Sequence, residues 1–106
     1  MGLGPIPAIQ KLLQNTGMAM SDIDVVEINE AFAAQIVPCR EDLGIDEEKL
    51  NPFGGAIALG HPFGMTGARI MTTLLNDLEA RDQTFGIESM CAAGGMGMAM
   101  LVERLR

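Results

Sequence analysis

The sequence has no tryptophan and no tyrosine, and four phenylalanines supply all its aromatic rings. Aliphatic side chains and the nine methionines must therefore fill whatever core it builds. Cations are scarce too: seven Lys and Arg stand against fourteen Asp and Glu, for a formal net charge of −7. That balance leaves no basic stripe for a phosphate backbone or an anionic lipid surface, so neither nucleic acid nor a membrane is an expected partner. No apolar run approaches the length of a membrane span, and no basic segment followed by a hydrophobic stretch marks a leader peptide. The opening MGLGPI lacks Ser or Thr at position six, which argues against N-myristoylation. The two cysteines, Cys39 and Cys91, form no CxxC pair, so neither a disulfide framework nor a zinc site is indicated. A soluble cytoplasmic protein, kept in a reducing compartment, is the expectation.

At 106 residues, 48% hydrophobic and 20% charged, the chain has the length and composition of one globular domain. Gly4 and Pro5 open a helical pattern in which Ile9, Leu12 and Leu13 share a face, and Gly17 is its stop signal. DVVEI, Asp24 to Ile28, is rich in β-branched residues and predicts a buried strand, with Asn29 and Glu30 at its C-terminal end. A second helix is expected from Ala31 to about Asp42, with Phe32, Ile36 and Leu43 toward the core and Pro38 kinking or dividing it. Asp46, Glu47 and Glu48 read as a solvated helix start.

A long helix ending near Asp82 follows from Ile70, Met71, Leu74, Leu75 and Leu78, which share one face, while Arg69, Asn76, Asp77 and Arg81 lie elsewhere. FGIESM predicts a strand, and from Met96 the chain alternates strictly. Met96, Met98, Met100 and Val102 form a bulky face; Gly97, Ala99 and Leu101 form a small one suited to close approach of a helix. Strand, helix, strand, helix and two closing strands give an α/β layer architecture.

Familiar nucleotide-binding glycine patterns are incomplete: GGMGMAM does not complete GxGxxG, and GHPFGMTG lacks the Lys and Ser/Thr of a P-loop. Three polar residues remain as candidates for chemistry. His61, the only histidine, sits between Gly60 and Pro62 in a loop rich in glycine. Cys91 follows a strand and precedes Gly94, Gly95 and Gly97, and Asn29 ends a strand. Each has an ordinary reading as well: a surface histidine, a small buried thiol, a helix cap. Ligands in open α/β sheets bind beyond the carboxyl ends of strands, yet no spacing rule brings positions 29, 61 and 91 together.

The segments MGLGPIPAI, INEAFAAQ, NPFGGAIALGHPFGMTGAR and SMCAAGGMGMAM, in that order, resemble the C-terminal part of the thiolases. QIVPCREDLG, TTLLN and FGIESMC look most like the 3-ketoacyl-CoA thiolases of fatty-acid β-oxidation. The resemblance covers the whole chain, residues 1–106, as a partial thiolase C-terminal domain. It implies a layered thiolase-like fold, incomplete, with a mixed sheet and packed helices. It also implies the cleavage of 3-ketoacyl-CoA by CoA to acetyl-CoA and a shortened acyl-CoA, or the reverse condensation.

Coenzyme A and acyl-CoA are then substrates, with no covalently bound cofactor and no metal, and the full-length protein is expected to be a homodimer or tetramer. By position in the motifs, His61 activates the nucleophilic thiol and donates to the enolate oxygen, and Asn29 holds a water that is the second donor. Cys91 is the acid/base at the α-carbon, the Ala93 N–H is an oxyanion donor, and Ala31 and Phe32 line the pantetheine tunnel.

Two departures accompany the resemblance. The nucleophilic cysteine of the family lies in its N-terminal domain, and Cys39 stands in no matching motif, so the isolated chain is expected to be inactive. Its sheet is also expected to lack a first strand, leaving an edge open to self-association. Secondly, the family pattern Cys-x-Gly-Gly-Gly appears as Cys91, Ala92, Ala93, Gly94, Gly95. If position 93 needs a positive φ, alanine there adds about 1 kcal/mol. A decarboxylating ketoacyl synthase of the same superfamily is disfavoured by Cys91, which stands where a second His or Asn is expected. The other alternative is a non-catalytic module that binds CoA esters or a partner chain.

Overall fold

The computed structural model describes residues 2–106. Helix α1 runs from Pro5 to Thr16, with proline in its first turn, where the missing N–H goes unused, and Gly17 closing it at φ 71°. Strand β1, Val25–Ile28, is buried along its whole length. Helices α2 (Ala33–Leu43), α3 (Ala56–Leu59) and α4 (Thr66–Ala80) follow, and strands β2 (Phe85–Ala92) and β3 (Met96–Glu103) close the chain. The sheet order is β1-β2-β3, with β1 parallel to β2 and β2 antiparallel to β3.

Helices cover both faces of this mixed sheet, which gives the expected α/β layering. On one face α1 and α2 bury Ile9, Val26, Ile28, Ile36, Cys39 and Ile87. On the other, α4 buries Leu74 and Leu78 against Val25, with Met71 and Val102 at the margin. Each such aliphatic side chain taken from water contributes about 1.5–3 kcal/mol before entropy is counted. The small face of β3 meets α1 as its alternation predicted. Gly4 and Gly97 lie so close that a Cβ on either would overlap the other's backbone. The bulky face meets α4 only at Val102, and Met96, Met98 and Met100 are exposed.

The structure corrects several expectations. No strand lies between α2 and α4 among the described residues; the only trace of one is a parallel bridge from Val26 to Leu50. Of the two effects expected of Pro38, division is excluded, because α2 continues through it. The donor it lacks would serve the carbonyl of Ala34, an exposed residue. Phe32 precedes α2 instead of belonging to it and is 65% exposed, so it is not a core residue. Asp77, expected to lie off the apolar face of α4, is fully buried on the same side as Ile70 and Leu74. Ala93 does not have a positive φ; Gly94 and Gly95 take that conformation at 73° and 101°, so the feared strain is absent.

Candidate active site

The parallel register of β1 on β2 sets the site. Ile28 pairs with Ser89, and the Asn29 N–H donates to the Ser89 carbonyl at 3.0 Å, so the chain leaves β1 beside the end of β2 that carries Cys91. Cys91 is half-buried, and its strand turns back through Ala93, Gly94 and Gly95 into β3.

The third element comes from the loop between α2 and α4, which is anchored to β1. Asn51, at φ 44°, uses its side-chain amide as a strand would use its backbone: Oδ1 accepts from the Ile28 N–H at 2.9 Å and Nδ2 donates to the Ile28 carbonyl at 3.0 Å. Glu30 adds a second tie, accepting from Asn51 Nδ2 at 3.1 Å and from the Ile57 N–H at 3.2 Å. Thus Glu30 and Asn51 hold the glycine-rich loop against the strand that ends in Asn29.

His61 stands at the far end of that loop, exposed, with its Nδ1 2.6 Å from Thr66 Oγ1. Thr66, the first residue of α4, thereby occupies Nδ1 and leaves Nε2 as the nitrogen available for chemistry. The ring also meets Phe63 edge-on, with centroids 5.1 Å apart.

Asn29, Ala31, Phe32, His61, Cys91 and Ala93 all line one cavity of about 380 Å³, together with Phe63, Ala92 and Gly94. Every candidate residue named from the sequence therefore meets the same space. A second cavity, of about 480 Å³, is lined by Leu3, Ala31, Phe32, Pro38 and Cys91 among others, so the thiol borders both. Asn29 is buried, and its Oδ1 has no hydrogen-bond partner among the described residues.

Cys39 belongs to neither cavity. It is fully buried; Gln35 Nε2 donates to its sulfur at 3.6 Å, and burial pushes its thiol up from the ordinary range. Both cysteines are free. Among the described residues no group of three or more His, Cys, Asp and Glu is placed to hold a metal ion.

Sequence reasoning missed Thr66, Asn51 and Glu30. The signal for Thr66 was its place at the start of the α4 pattern, five residues after His61; nothing local marked Asn51 as a surrogate strand residue.

The family model for the thiolase C-terminal domain matches residues 1–104. The chain belongs to the thiolase family. It is 56% identical over 105 residues to a protein of Escherichia coli K12 named acetyl-CoA acetyltransferase, covering 99% of this chain and 27% of that one. A 3-ketoacyl-CoA thiolase of Shewanella loihica is also 56% identical, over 98% of this chain and 28% of its own length. The crystal structure of the Bacillus anthracis acetyl-CoA acetyltransferase superposes with a TM-score of 0.95 at 46% identity, over 98% of this chain and 26% of that one. This thiolase chain thus spans about a quarter of the length of the relatives it matches. Among its described residues no helix is long and apolar enough to cross a membrane.

Proposed function

We propose that this chain is the C-terminal catalytic segment of a thiolase that exchanges acyl groups between a cysteine and coenzyme A. The observation that carries the reading is the shared cavity: residues 29, 61, 91 and 93, far apart in sequence, line one space. In the thiolytic direction, a cysteine thiolate from the remainder of the polypeptide attacks the 3-keto carbon of a 3-ketoacyl-CoA. The bond between C2 and C3 breaks, the acyl group stays on that cysteine as a thioester, and acetyl-CoA leaves as its enolate.

Cys91 gives its proton to the enolate carbon, then takes one from incoming CoA, whose thiolate displaces the acyl group. His61, held at Nδ1 by Thr66, uses Nε2 to activate the nucleophile and to donate to the enolate oxygen. Asn29 holds a water as the second donor, consistent with its otherwise unpartnered Oδ1. The Ala93 N–H stabilises the thioester oxyanion, a task alanine performs as well as glycine in an ordinary backbone conformation. Exposed Phe32 beside Ala31 offers an apolar wall for a pantetheine arm. The same reading includes a cytoplasmic, homo-oligomeric parent enzyme and a role in fatty-acid β-oxidation; the relatives named 3-ketoacyl-CoA thiolase support the substrate class.

The absence of left-handed strain at Ala93 removes one argument for a non-catalytic binding module. The deciding experiment joins this segment to its N-terminal remainder and follows thiolysis of acetoacetyl-CoA, then repeats it with His61→Ala and Cys91→Ala. Turnover that collapses in both variants is expected. Full activity in both would refute the assigned roles, and cleavage by the purified 106-residue chain alone would refute its dependence on an outside nucleophile.

A further inference from the structure

On the α4 face of the sheet, two acids meet in the interior. Glu27 of β1 and Asp77 of α4 are each fully buried, and none of their four carboxyl oxygens receives a hydrogen bond from any N–H or hydroxyl among the described residues. Two carboxylates in contact, out of water and without donors, repel each other and lose their hydration with nothing in return. One added proton changes that, because the protonated acid becomes the donor its neighbour lacks.

We propose that Glu27 and Asp77 hold one proton between them in the native state, as a carboxylic acid to carboxylate hydrogen bond that latches β1 to α4. The surroundings agree with Glu27 as the donor. Burial, reinforced by the hydrogen bond and charge of Asp77, pushes Glu27 up to about 9, and Glu30 acts in the same sense. Arg69 opposes this shift from α4, although its Nη1 is itself buried without a partner. Asp77 is raised by burial, while the bond from Glu27 and the charge of Arg81 hold it down. On β2, Glu88 lies opposite Glu27 in the register and is raised by burial as well, so no cation comes from that strand.

The latch joins the two elements next to Asn29 and His61. Glu27 is two residues before Asn29, and α4 begins at Thr66, which holds His61. Glu27 and Asp77 are therefore positioning residues, which set β1 and α4 at a fixed separation without touching the cavity.

Unfolding releases the retained proton at any pH between the ordinary Glu value of 4.5 and about 9. Stability should then fall as pH rises through that window and level off above it, with the unfolding constant rising close to tenfold per pH unit for one proton. Urea unfolding of the purified chain between pH 6 and about 9 reads this slope. Glu27→Gln supplies a permanent N–H donor and no proton to lose, so it should fold and lose one proton's worth of slope, as should Asp77→Asn. Glu27→Ala, lacking a donor, should be much less stable than Glu27→Gln at every pH. Glu88→Gln removes only its own contribution.

An unchanged slope in both amide variants, or Glu27→Gln no more stable than Glu27→Ala, overturns the proposal. A readout that needs no folded pair variant is the infrared carboxylic-acid stretch of the native chain at pH 7, shifted in heavy water and retained in Glu88→Gln. Its absence also overturns the proposal.

Discussion

Gly97→Ala tests the packing that seats the first helix. A methyl group at Gly97 would overlap the Gly4 carbonyl and come within 2.8 Å of the Gly4 Cα, where carbons in contact stand about 3.5–4.0 Å apart. The obstacle is backbone, so no rotamer change relieves it, and α1 must withdraw from β3 by roughly 1 Å. That displacement pulls Ile9, which is fully buried, away from the sheet and loosens the partly buried Ile6, Leu12 and Leu13 beside it.

Overpacking costs about 1–3 kcal/mol, and the opened core should place this substitution at or above the top of that range. For a domain of this size a loss of about 3 kcal/mol lowers Tm by roughly 15 °C. Thermal unfolding followed by far-ultraviolet circular dichroism measures it, with Gly64→Ala as control. Gly64 has an ordinary φ and nothing within 4 Å of a built Cβ, so its replacement should leave Tm almost unchanged. A Gly97→Ala protein that melts with the wild type would refute the claim that the two glycines are required for the contact.

Three further outcomes follow from the site. Thr66→Val removes the partner of His61 Nδ1, and a lost bond of about 1 kcal/mol should lower kcat of the assembled enzyme roughly fivefold; equal kcat for wild type and variant would dissociate Thr66 from catalysis. Asn51→Ala strips both Ile28 backbone groups of their partners, and urea unfolding should register a loss of about 2–4 kcal/mol, whereas a loss below about 0.5 kcal/mol would mean water replaces the amide. In the native chain a bulky thiol reagent should modify half-buried Cys91 readily and Cys39 only on unfolding, because burial both shields that sulfur and raises its thiol; mass mapping that finds Cys39 modified first contradicts this.

The sequence disclosed those elements whose residues repeat with their own geometry. Ile9, Leu12 and Leu13 revealed α1, and the alternation from Met96 revealed β3 together with the face that a helix would press. It failed where one residue's environment comes from a distant segment. Asp77 is three residues after Leu74 and seven after Ile70, so its position falls on the buried face of α4; its charge alone argued for the surface, and no local pattern reports Glu27, fifty positions away, as its buried neighbour. Phe32 was assigned inward as a large apolar side chain, but α2 begins after it and leaves it beside the cavity. Asn29, His61 and Cys91 were each recognisable by motif, yet their meeting depends on the β1–β2 register and on the Asn51 anchor, which no local pattern reports.

That anchor also gives the sheet a direction. At the β1 edge, Asn51 occupies both polar groups of Ile28 with its side chain and donates its own N–H to the Val26 carbonyl at 2.9 Å, so an arriving strand would find that border already taken. At the opposite border β3 has a neighbour on one side only and offers eight residues containing neither proline nor lysine, the usual deterrents to strand addition. The sheet is sealed at one margin and open at the other. Any strand that joins it, whether from the rest of the polypeptide or from a second copy, must add beyond β3, away from Asn29 and next to the hairpin that carries Cys91.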